Sequence, residues 1–297
     1  MIDIRLRTFV SVAENLSFSE AAREIHISQP AVSKHIRELE GEYGAVLFER
    51  LGNRIRLTEA GAALLVRAKG ILEEYKKMDA DMRALAGDAS GELRIAASTT
   101  IAQYLLPEIL AGFRKRYPVV RVTMLSGNSR EVETALLAGH ADIGLVEGIT
   151  RRSGLKYTPF AGDELVAIAG TSSASGSRES LTLEELKKVP VVLREHGSGT
   201  LDVVRRALAE AGVSLSDLNV EMNIGSTEGI KLYVRHSDAL GIVSIRSVSG
   251  EIYRNVFRIV DIEGLRMTRE FMIAERMGES VGAEVRFKEF ITSSYSQ

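Results

Sequence analysis

The sequence predicts a mixed α/β protein: a small, mostly helical N-terminal domain, one long helix, and a larger C-terminal domain in which strands and helices alternate. Three observations support this prediction. Residues 17–40 have the pattern of two short helices joined by a tight turn, residues 59–85 repeat apolar side chains in heptads, and strand and helix patterns alternate from residue 92 onwards. The chain of 297 residues, 45% of them hydrophobic, is large enough for two or three domains with buried cores.

Composition excludes several classes of protein. The chain has no cysteine and only five scattered histidines, so it offers no disulfide framework, no thiol switch and no cluster of metal ligands. We expect no metal and no cofactor. The N-terminus lacks the charged and then apolar pattern of a signal peptide, and no apolar run approaches the roughly 18 residues that span a bilayer. The sequence therefore predicts a cytoplasmic protein without a membrane partner.

The segment 17–40 predicts a helix-turn-helix. Ser17 or Ser19 can cap its first helix, and Ser28 can cap the second, whose first turn tolerates Pro30. Along the second helix one apolar face repeats at i, i+4, i+7 and i+11, namely Val32, Ile36, Leu39 and Tyr43. This face is predicted to be core, which leaves the opposite face for solvent or a partner.

The opposite face of the second helix has the residue types that read bases in a major groove. Glutamine can pair with adenine, arginine can pair with guanine, and small residues allow close approach. The predicted DNA contacts on this helix are Ser28, Gln29, Pro30, Ala31, Ser33, Lys34 and Arg37. The alternative is an ordinary helical hairpin with a solvated polar face.

Residues 46–50 and 54–57 predict two short strands around a tight loop, which form a wing beside the two helices. Acidic and basic residues balance over residues 1–58, as they nearly do in the whole chain with its net charge of −2. The basic residues nevertheless concentrate in the second helix and the wing. Arg50, Arg54 and Arg56 are therefore predicted to contact backbone phosphate or the minor groove, the alternative being solvated charge.

These motifs together resemble the winged helix-turn-helix of LysR-type transcriptional regulators. The resemblance rests on SQPAVS at 28–33, LFER at 47–50 and LTEAG at 57–61, with Phe9, Ala13, Phe18, Ala21 and Ala22 before them and Ile36, Leu39 and Glu40 between. Residues 41–44 depart from the family pattern, in which an additional apolar residue is more usual, but they do not touch the base-facing positions. The resemblance implies a regulator, not an enzyme, that binds double-stranded promoter DNA, with RNA polymerase as a further candidate partner.

Thr58 is predicted to cap a linker helix at 59–86. Apolar residues recur along it at steps of four and three: Leu64, Ala68, Ile71, Tyr75, Met78, Met82 and Leu85. A seam of this length predicts a two-stranded coiled coil and hence a homodimer, although a helix lying on its own domain would also be amphipathic. The family resemblance adds the expectation of a homotetramer built from two dimers.

Small and polar residues at 87–91 predict a hinge between the DNA-binding domain (1–58) with its linker helix and a regulatory domain at 92–297. Strands are predicted at 93–97, 119–125, 142–146, 164–169, 191–193, 220–224, 241–244, 256–260 and 268–274. Helices are predicted at 104–117, 130–138, 183–188, 201–211, 228–235 and 281–291. This alternation is typical of a mostly parallel sheet that helices cover on both faces.

The two α/β halves resemble the two-lobed effector domain of LysR regulators, which is similar to periplasmic binding proteins. The resemblance implies a lobe I at 92–162 and 266–297 and a lobe II at 163–265, with the chain crossing near Gly162 and Leu265. In open α/β sheets ligands bind beyond the carboxyl ends of the strands. The cleft between the lobes is therefore the expected effector site.

Hydroxyl groups and glycines follow the predicted strands at this edge. The predicted effector contacts are Ser98, Thr99, Thr100, Asn128, Ser129, Glu147, Ser198, Thr200 and Thr227. Such donors beside helix N-termini favour a small anion, although each serine or threonine alone could be only a helix cap. Glu147 leaves two alternatives open: it would repel an anion unless protonated or paired, or it would bind an amine of the ligand.

The loop at 194–200 resembles, more weakly, the regulators of sulfur assimilation and carbon fixation within the LysR family. Its Arg194 and His196 could complement the charge of an anion, or could pair with Glu195. Ser198 between two glycines is a candidate hydrolase nucleophile, but the spacing fits neither a nucleophile elbow nor a phosphate-binding loop, so no catalytic residue is predicted. A transport-type binding protein would explain the two lobes but not residues 1–86. Only a regulator uses both halves of the chain, with a cleft ligand altering lobe closure or dimer contacts and hence the recognition helices.

Overall fold

The computed structural model describes residues 3–51, 54–85, 91–149, 151–278 and 282–295. The chain falls into two compact units, Met1–Asp88 and Ala89–Gln297. The hinge predicted at 87–91 lies outside the described residues except for Gly91, so its position stays a prediction. Within the described ranges, no helix is long and apolar enough to cross a membrane.

The N-terminal unit consists of short helices, a two-stranded wing and one long helix. In chain order these are α1 (Ile4–Asn15), α2 (Phe18–Glu24), α3 (Gln29–Tyr43), β1 (Phe48–Leu51), β2 (Arg54–Leu57) and α4 (Glu59–Leu85). The predicted caps are present, because the Ser17 hydroxyl accepts a hydrogen bond from the N–H of Glu20 and the Ser28 hydroxyl accepts one from the N–H of Ala31. The chain leaves α3 through Gly44, whose φ of 62° is a left-handed conformation that glycine adopts without strain. The predicted helix-turn-helix and wing are both confirmed.

One apolar core holds this unit together. Phe9 of α1, Ala21 of α2 and Val32 of α3 are fully buried in it, and the rings of Phe9 and Phe48 pack 5.5 Å apart. Ala68 of α4 is fully buried in the same core. The first turns of the long helix therefore lie on their own domain.

The C-terminal unit alternates strands and helices throughout. Its first half contains β3 (Gly91–Ser98), α5 (Thr99–Tyr104), α6 (Leu106–Arg116), β4 (Val120–Gly127), α7 (Ser129–Leu137), β5 (Ile143–Glu147) and β6 (Leu155–Gly170). It continues with β7 (Ser180–Leu181), α8 (Leu183–Leu186), β8 (Val191–Arg194), α9 (Gly199–Glu210), β9 (Val220–Ile224), α10 (Thr227–Arg235) and β10 (Leu240–Ser244). The last elements are α11 (Ser249–Tyr253), β11 (Phe257–Ile259), β12 (Asp261–Ile262), β13 (Thr268–Arg276) and α12 (Ala283–Tyr295). The predicted α/β class is confirmed.

One continuous sheet contains two groups of parallel strands, and its strand order is β4-β3-β5-β13-β6-β10-β8-β9. In lobe I, β3 pairs in parallel with β4 and β5, and in lobe II, β8 pairs in parallel with β9 and β10. The long strand β6 belongs to both lobes: residues 155–164 pair with β13 and residues 165–168 pair with β10, antiparallel in each case. The carboxyl ends of the parallel strands in both lobes therefore face the place where β6 crosses.

Among the predicted elements, two differ most from the structure, and the short elements β7, α11 and β12 were not predicted. The predicted helix at 104–117 is two helices, because Pro107 in the first turn of α6 has no N–H to continue the helix from α5. The strand predicted at 164–169 begins nine residues earlier, at Leu155. The first half of this strand was not predicted, because it contains Pro159 and Gly162, which are unfavourable inside strands.

Candidate functional site

The predicted base-reading residues lie together on the outer face of α3. Val32, Ile36 and Leu39 on the opposite face are buried. Ser28, Gln29, Pro30, Lys34 and Arg37 are exposed, and Ala31 and Ser33 are partly buried. The Gln29 amide Nε2 donates a hydrogen bond to the Ser33 hydroxyl over 3.0 Å. The pair of side chains therefore presents an oriented amide at the N-terminal end of the helix.

Of the three arginines predicted to act in the wing, only Arg56 has a described side chain. Arg56 is exposed, and its guanidinium lies 2.7 Å from the Glu49 carboxylate. An exposed ion pair of this kind is worth little, so a phosphate can compete with Glu49 for Arg56. The side chains of Arg50 and Arg54 lie outside the described part of the wing.

The apolar seam of α4 is divided between its own domain and solvent. Ala68 is fully buried and Leu64 and Tyr75 are partly buried, whereas Ile71, Met78 and Met82 are 54%, 51% and 60% exposed. Ala68 is therefore not available for a dimer contact, because a small side chain at this position lets α4 pack closely on the domain core. The side chain of Leu85 is not among the described ones.

Glu147, at the end of β5, is a buried carboxylate that both lobes contact. Its Oε1 atom accepts a hydrogen bond from the Thr100 hydroxyl of lobe I over 3.1 Å and from the Thr200 hydroxyl of lobe II over 3.2 Å. Each donor follows a strand end, as the sequence predicts. The carboxylate itself occupies donors that we expected to serve a ligand.

A buried arginine compensates the charge of Glu147. Arg269 of β13 places Nη2 3.0 Å from Glu147 Oε2 and 2.7 Å from Asp163 Oδ2. Its Nε atom donates to Asp163 over 2.7 Å and its Nη1 atom donates to the Thr200 hydroxyl over 2.9 Å. Asp163, on β6 at the crossing between lobes, also accepts a hydrogen bond from Ser244 over 2.7 Å. Glu147 is thus paired, which was one of the alternatives left open for it.

Arg194 is the second buried cation of the cleft. Its guanidinium donates to both carboxylate oxygens of Glu195 over 2.8 and 3.0 Å. The same group donates to the Thr99 hydroxyl of lobe I over 2.8 Å and to the Thr227 hydroxyl of lobe II over 3.4 Å. Arg194 therefore bridges the lobes with its charge already balanced, while His196 is exposed.

Asn128 and Ser129 support the backbone around the site. The Asn128 side chain accepts from the N–H of Glu131 and completes a capping box at the start of α7. The Ser129 hydroxyl donates to the carbonyl oxygen of Glu147 over 2.8 Å. In addition, the N–H of Arg130 donates across the lobes to the carbonyl oxygen of Gly197 over 3.2 Å. These groups fix the site's geometry.

Ser98 and Ser198 differ from the other hydroxyl residues. Each precedes a helix, α5 in lobe I and α9 in lobe II, yet neither side chain makes a capping hydrogen bond. Both are only 1% exposed, and among the described residues neither hydroxyl has a hydrogen-bond partner. The explanation that a serine here is only a cap therefore does not apply to either of them.

The lobes touch through glycine backbone at this point. A Cβ atom on Gly199 would lie 1.9 Å from the carbonyl oxygen of Glu147, and one on Gly148, whose φ is 104°, would lie 2.7 Å from the Cα of Gly199. No larger residue fits such an approach. The cleft is thus closed beside Glu147.

A further contact between the lobes lies beside Arg194. The Tyr104 hydroxyl of lobe I donates to the Glu228 carboxylate of lobe II, and Lys231, which is buried, donates to the same carboxylate over 2.7 Å. Burial, together with the hydrogen bond to Glu228, raises the pKa of Tyr104. Lys231 also pairs with Glu251 over 2.6 Å. Tyr104 remains a neutral donor in this contact.

Sequence reasoning missed Asp163 and Arg269. Arg269 lies 106 residues from Asp163 in the chain, so no local spacing connects them. A signal was nevertheless present, since Arg269 alternates with Phe271 and Ile273 on the inward face of β13. A charge at an inward strand position requires a partner.

Comparison with known proteins gives matches along nearly the whole chain. Residues 4–62 match the family of bacterial regulatory helix-turn-helix proteins of the lysR type, and residues 86–292 match the LysR substrate binding domain. The HTH-type transcriptional regulator CysL of Bacillus subtilis (strain 168) is 32% identical over 265 residues, which cover 89% of this chain and 88% of CysL. The RuBisCO operon transcriptional regulator of Allochromatium vinosum is 31% identical over 290 residues, covering 97% and 95% of the two chains. The crystal structure of full-length CbnR complexed with its target DNA has a TM-score of 0.67 and 25% identity, covering 99% of this chain and 100% of CbnR.

Proposed function

The chain belongs to the LysR family of bacterial transcriptional regulators, and from that premise we propose that it binds promoter DNA as a dimer or tetramer and responds to a small anion in the cleft of its regulatory domain. The observation that most directly supports the ligand site is the pair of buried, unpartnered hydroxyls of Ser98 and Ser198, one from each lobe. A buried hydroxyl left without a partner costs about 1–3 kcal/mol. A ligand oxygen that bridges the two hydroxyls removes this cost in both lobes at once.

DNA reading is assigned to the exposed face of α3. Gln29, held by Ser33, and Arg37, about two turns further along the helix, reach base edges in the major groove. Lys34 and Arg56 contact phosphates. The regulator acts in the cytoplasm, where its DNA lies, and RNA polymerase is the partner through which a DNA-bound regulator would change transcription.

Dimerisation is assigned to the exposed part of the α4 seam. Ile71, Met78 and Met82 present apolar side chains to solvent at heptad spacing, and a second copy of α4 would cover them. A dimer then offers two recognition helices to two half-sites of a pseudo-palindrome. Replacing Ile71 and Met78 together by glutamine should give a monomer in sedimentation; a variant that remains dimeric would show that the seam is not the main contact.

The response to a ligand follows from the contacts between the lobes. Arg194 with Thr99, and Glu147 with Thr200, already join lobe I to lobe II. A ligand that binds better to one degree of lobe closure shifts the population towards that state. The shift changes the geometry of the dimer and with it the bending of the bound DNA.

Thermal unfolding of the full chain against small anions tests the ligand site. The panel contains sulfate, sulfite, thiosulfate, phosphate and dicarboxylates. An anion at one hundred times its dissociation constant should raise the melting temperature of the C-terminal unit by roughly 5–10 °C. The S98A/S198A double variant should lose the rise, whereas S226A, which removes only the cap on Gly229, should keep it. An equal rise in the double variant, or no rise with any anion, would contradict the site.

A further inference from the structure

Four buried side-chain atoms in the described chain have no hydrogen-bond partner, and all four belong to the cleft. They are Ser98 Oγ, Glu147 Oε2, Ser198 Oγ and Arg269 Nη2. A carboxylate oxygen can only accept and a guanidinium nitrogen can only donate, whereas each hydroxyl can do either. A ligand that both accepts and donates hydrogen bonds would therefore provide partners for all four atoms.

The two charged members of this set attract each other without a well-aligned hydrogen bond. Glu147 Oε2 lies 3.0 Å from Arg269 Nη2, which is within ion-pair distance, but neither atom satisfies hydrogen-bond geometry. The other oxygen of Glu147 is engaged by Thr100 and Thr200. Oε2 consequently keeps an acceptor site for a donor from a ligand.

The charges of the described cleft residues disfavour an anion that lacks a proton. Arg194 is balanced by Glu195, and Arg269 lies between Glu147 and Asp163. A fully deprotonated oxyanion has only acceptor atoms, so one of its oxygens would face Glu147 Oε2 with no proton between them. Two acceptor oxygens that face each other in a buried site without a proton between them repel each other and lose their hydration.

An oxyanion that keeps one acidic O–H group satisfies the same atoms. Its hydroxyl donates to Glu147 Oε2, and its remaining oxygens accept from Arg269 Nη2 and from the hydroxyls of Ser98 and Ser198. We infer that the cleft selects small oxyanions that retain a proton, of the hydrogen phosphate or hydrogen sulfite type, and rejects fully deprotonated ones such as sulfate. Glu147 is the residue that sets this specificity. The inference rests on the proposed function, because it takes the cleft as the ligand site.

Calorimetric titration of the full chain with inorganic phosphate and with sulfate tests the inference. The two ions have the same shape, but at neutral pH phosphate retains a proton and sulfate does not. Wild-type protein should bind phosphate about 100-fold more tightly than sulfate, the loss expected when a charged acceptor is left unpaired.

The E147Q variant should reduce this preference to less than about 10-fold, because the amide at position 147 can donate to sulfate and no longer needs a donor. Glu275 offers a matched control. It is a buried glutamate further along β13, paired with Lys288 over 2.5 Å and away from the cleft. The E275Q variant should keep the wild-type preference.

If wild-type protein binds phosphate and sulfate with equal affinity and S98A/S198A binds neither ion, the inference is overturned and the proposed function stands. If neither ion binds, the inference is also overturned, and the wider panel of anions decides separately whether the cleft binds a ligand. An unchanged preference in E147Q would remove Glu147 from its role. The comparison of the two ions in wild-type protein needs no substitution, so it remains decisive even if E147Q fails to fold.

Discussion

Replacing Arg269 by methionine tests whether the buried charge cluster organises the cleft. The guanidinium is buried between Glu147 and Asp163, at 3.0 and 2.7 Å from their carboxylates. Methionine retains most of the apolar stem, but it removes the charged guanidinium, whose Cζ atom lies 5.2 Å from the centre of the Phe271 ring. The variant therefore leaves the buried carboxylate of Glu147 without a compensating cation, and leaves buried Asp163 only the longer contact to the part-exposed Arg246, 3.8 Å away.

The expected loss of stability follows from that change. Removing one partner of a buried ion pair destabilises a protein by about 3–5 kcal/mol, since the remaining charge stays desolvated. For a unit of roughly 200 residues this lowers the melting temperature by roughly 6–20 °C. The exposed pair of Arg178 and Glu185, 3.2 Å apart, offers the matched control. R178M should lower the melting temperature far less than R269M does, because exposed pairs contribute little.

Thermal and urea unfolding of the full chain, followed by circular dichroism, measures both variants. Neutralising the stranded carboxylates in the triple variant R269M/E147Q/D163N should recover most of the loss, because the buried charges are then gone. A loss of stability in R269M no greater than in R178M would refute the role of the cluster. A triple variant less stable than R269M would also contradict the account, because removing the remaining buried charges should stabilise the protein.

Two further predictions concern contacts in the same unit. G199A should lose about 1–3 kcal/mol of stability, because its Cβ would lie 1.9 Å from a backbone oxygen of the other lobe. G225A is the control, because no atom lies within 4 Å of its Cβ, and it should unfold as the wild type does. Equal melting temperatures of the two variants would contradict the close approach. Burial, and after it the hydrogen bond to Glu133, raises the pKa of Tyr157 to about 12. The neutral phenol therefore stabilises the folded state. Its contribution to the free energy of unfolding is full below about pH 10 and is lost as the pH rises towards the folded pKa. Y157F should flatten the decline of stability over that alkaline window, which urea unfolding measures, while Y253F, at an exposed position, should not; identical pH profiles for both would contradict the shift.

Local signals explain why the DNA-binding unit was predictable. Caps at Ser17 and Ser28 and the inward face of Val32 and Ile36 all depend on residues within a few positions of one another. The long helix α4 was predicted for the same reason. The seam was predicted less well, because the burial of Ala68 depends on contacts with the N-terminal helices, which heptad spacing alone does not reveal.

The cleft was predictable only in part. Hydroxyl residues at strand ends identified Thr100, Ser198 and Thr200, since the carboxyl ends of parallel strands meet at one edge. Local sequence did not show that Glu147 would take the Thr100 and Thr200 donors, since Thr200 lies 53 residues away. Arg269, the cation that balances the charge of Glu147, lies still further along the chain, so the pairing can be recognised only in the folded structure.

Selection of DNA fragments from a random pool by the full-length protein tests most directly that the chain reads promoter sequence through α3. We expect enrichment of a pseudo-palindrome whose half-sites are separated by whole turns of the double helix. Q29A should relax one base position in each half-site, corresponding to about 1–3 kcal/mol of discrimination, whereas K34A should weaken binding uniformly and select the same sequence. Failure to enrich any sequence, or an identical selected sequence for Q29A, would contradict the assignment of α3 as the reading helix.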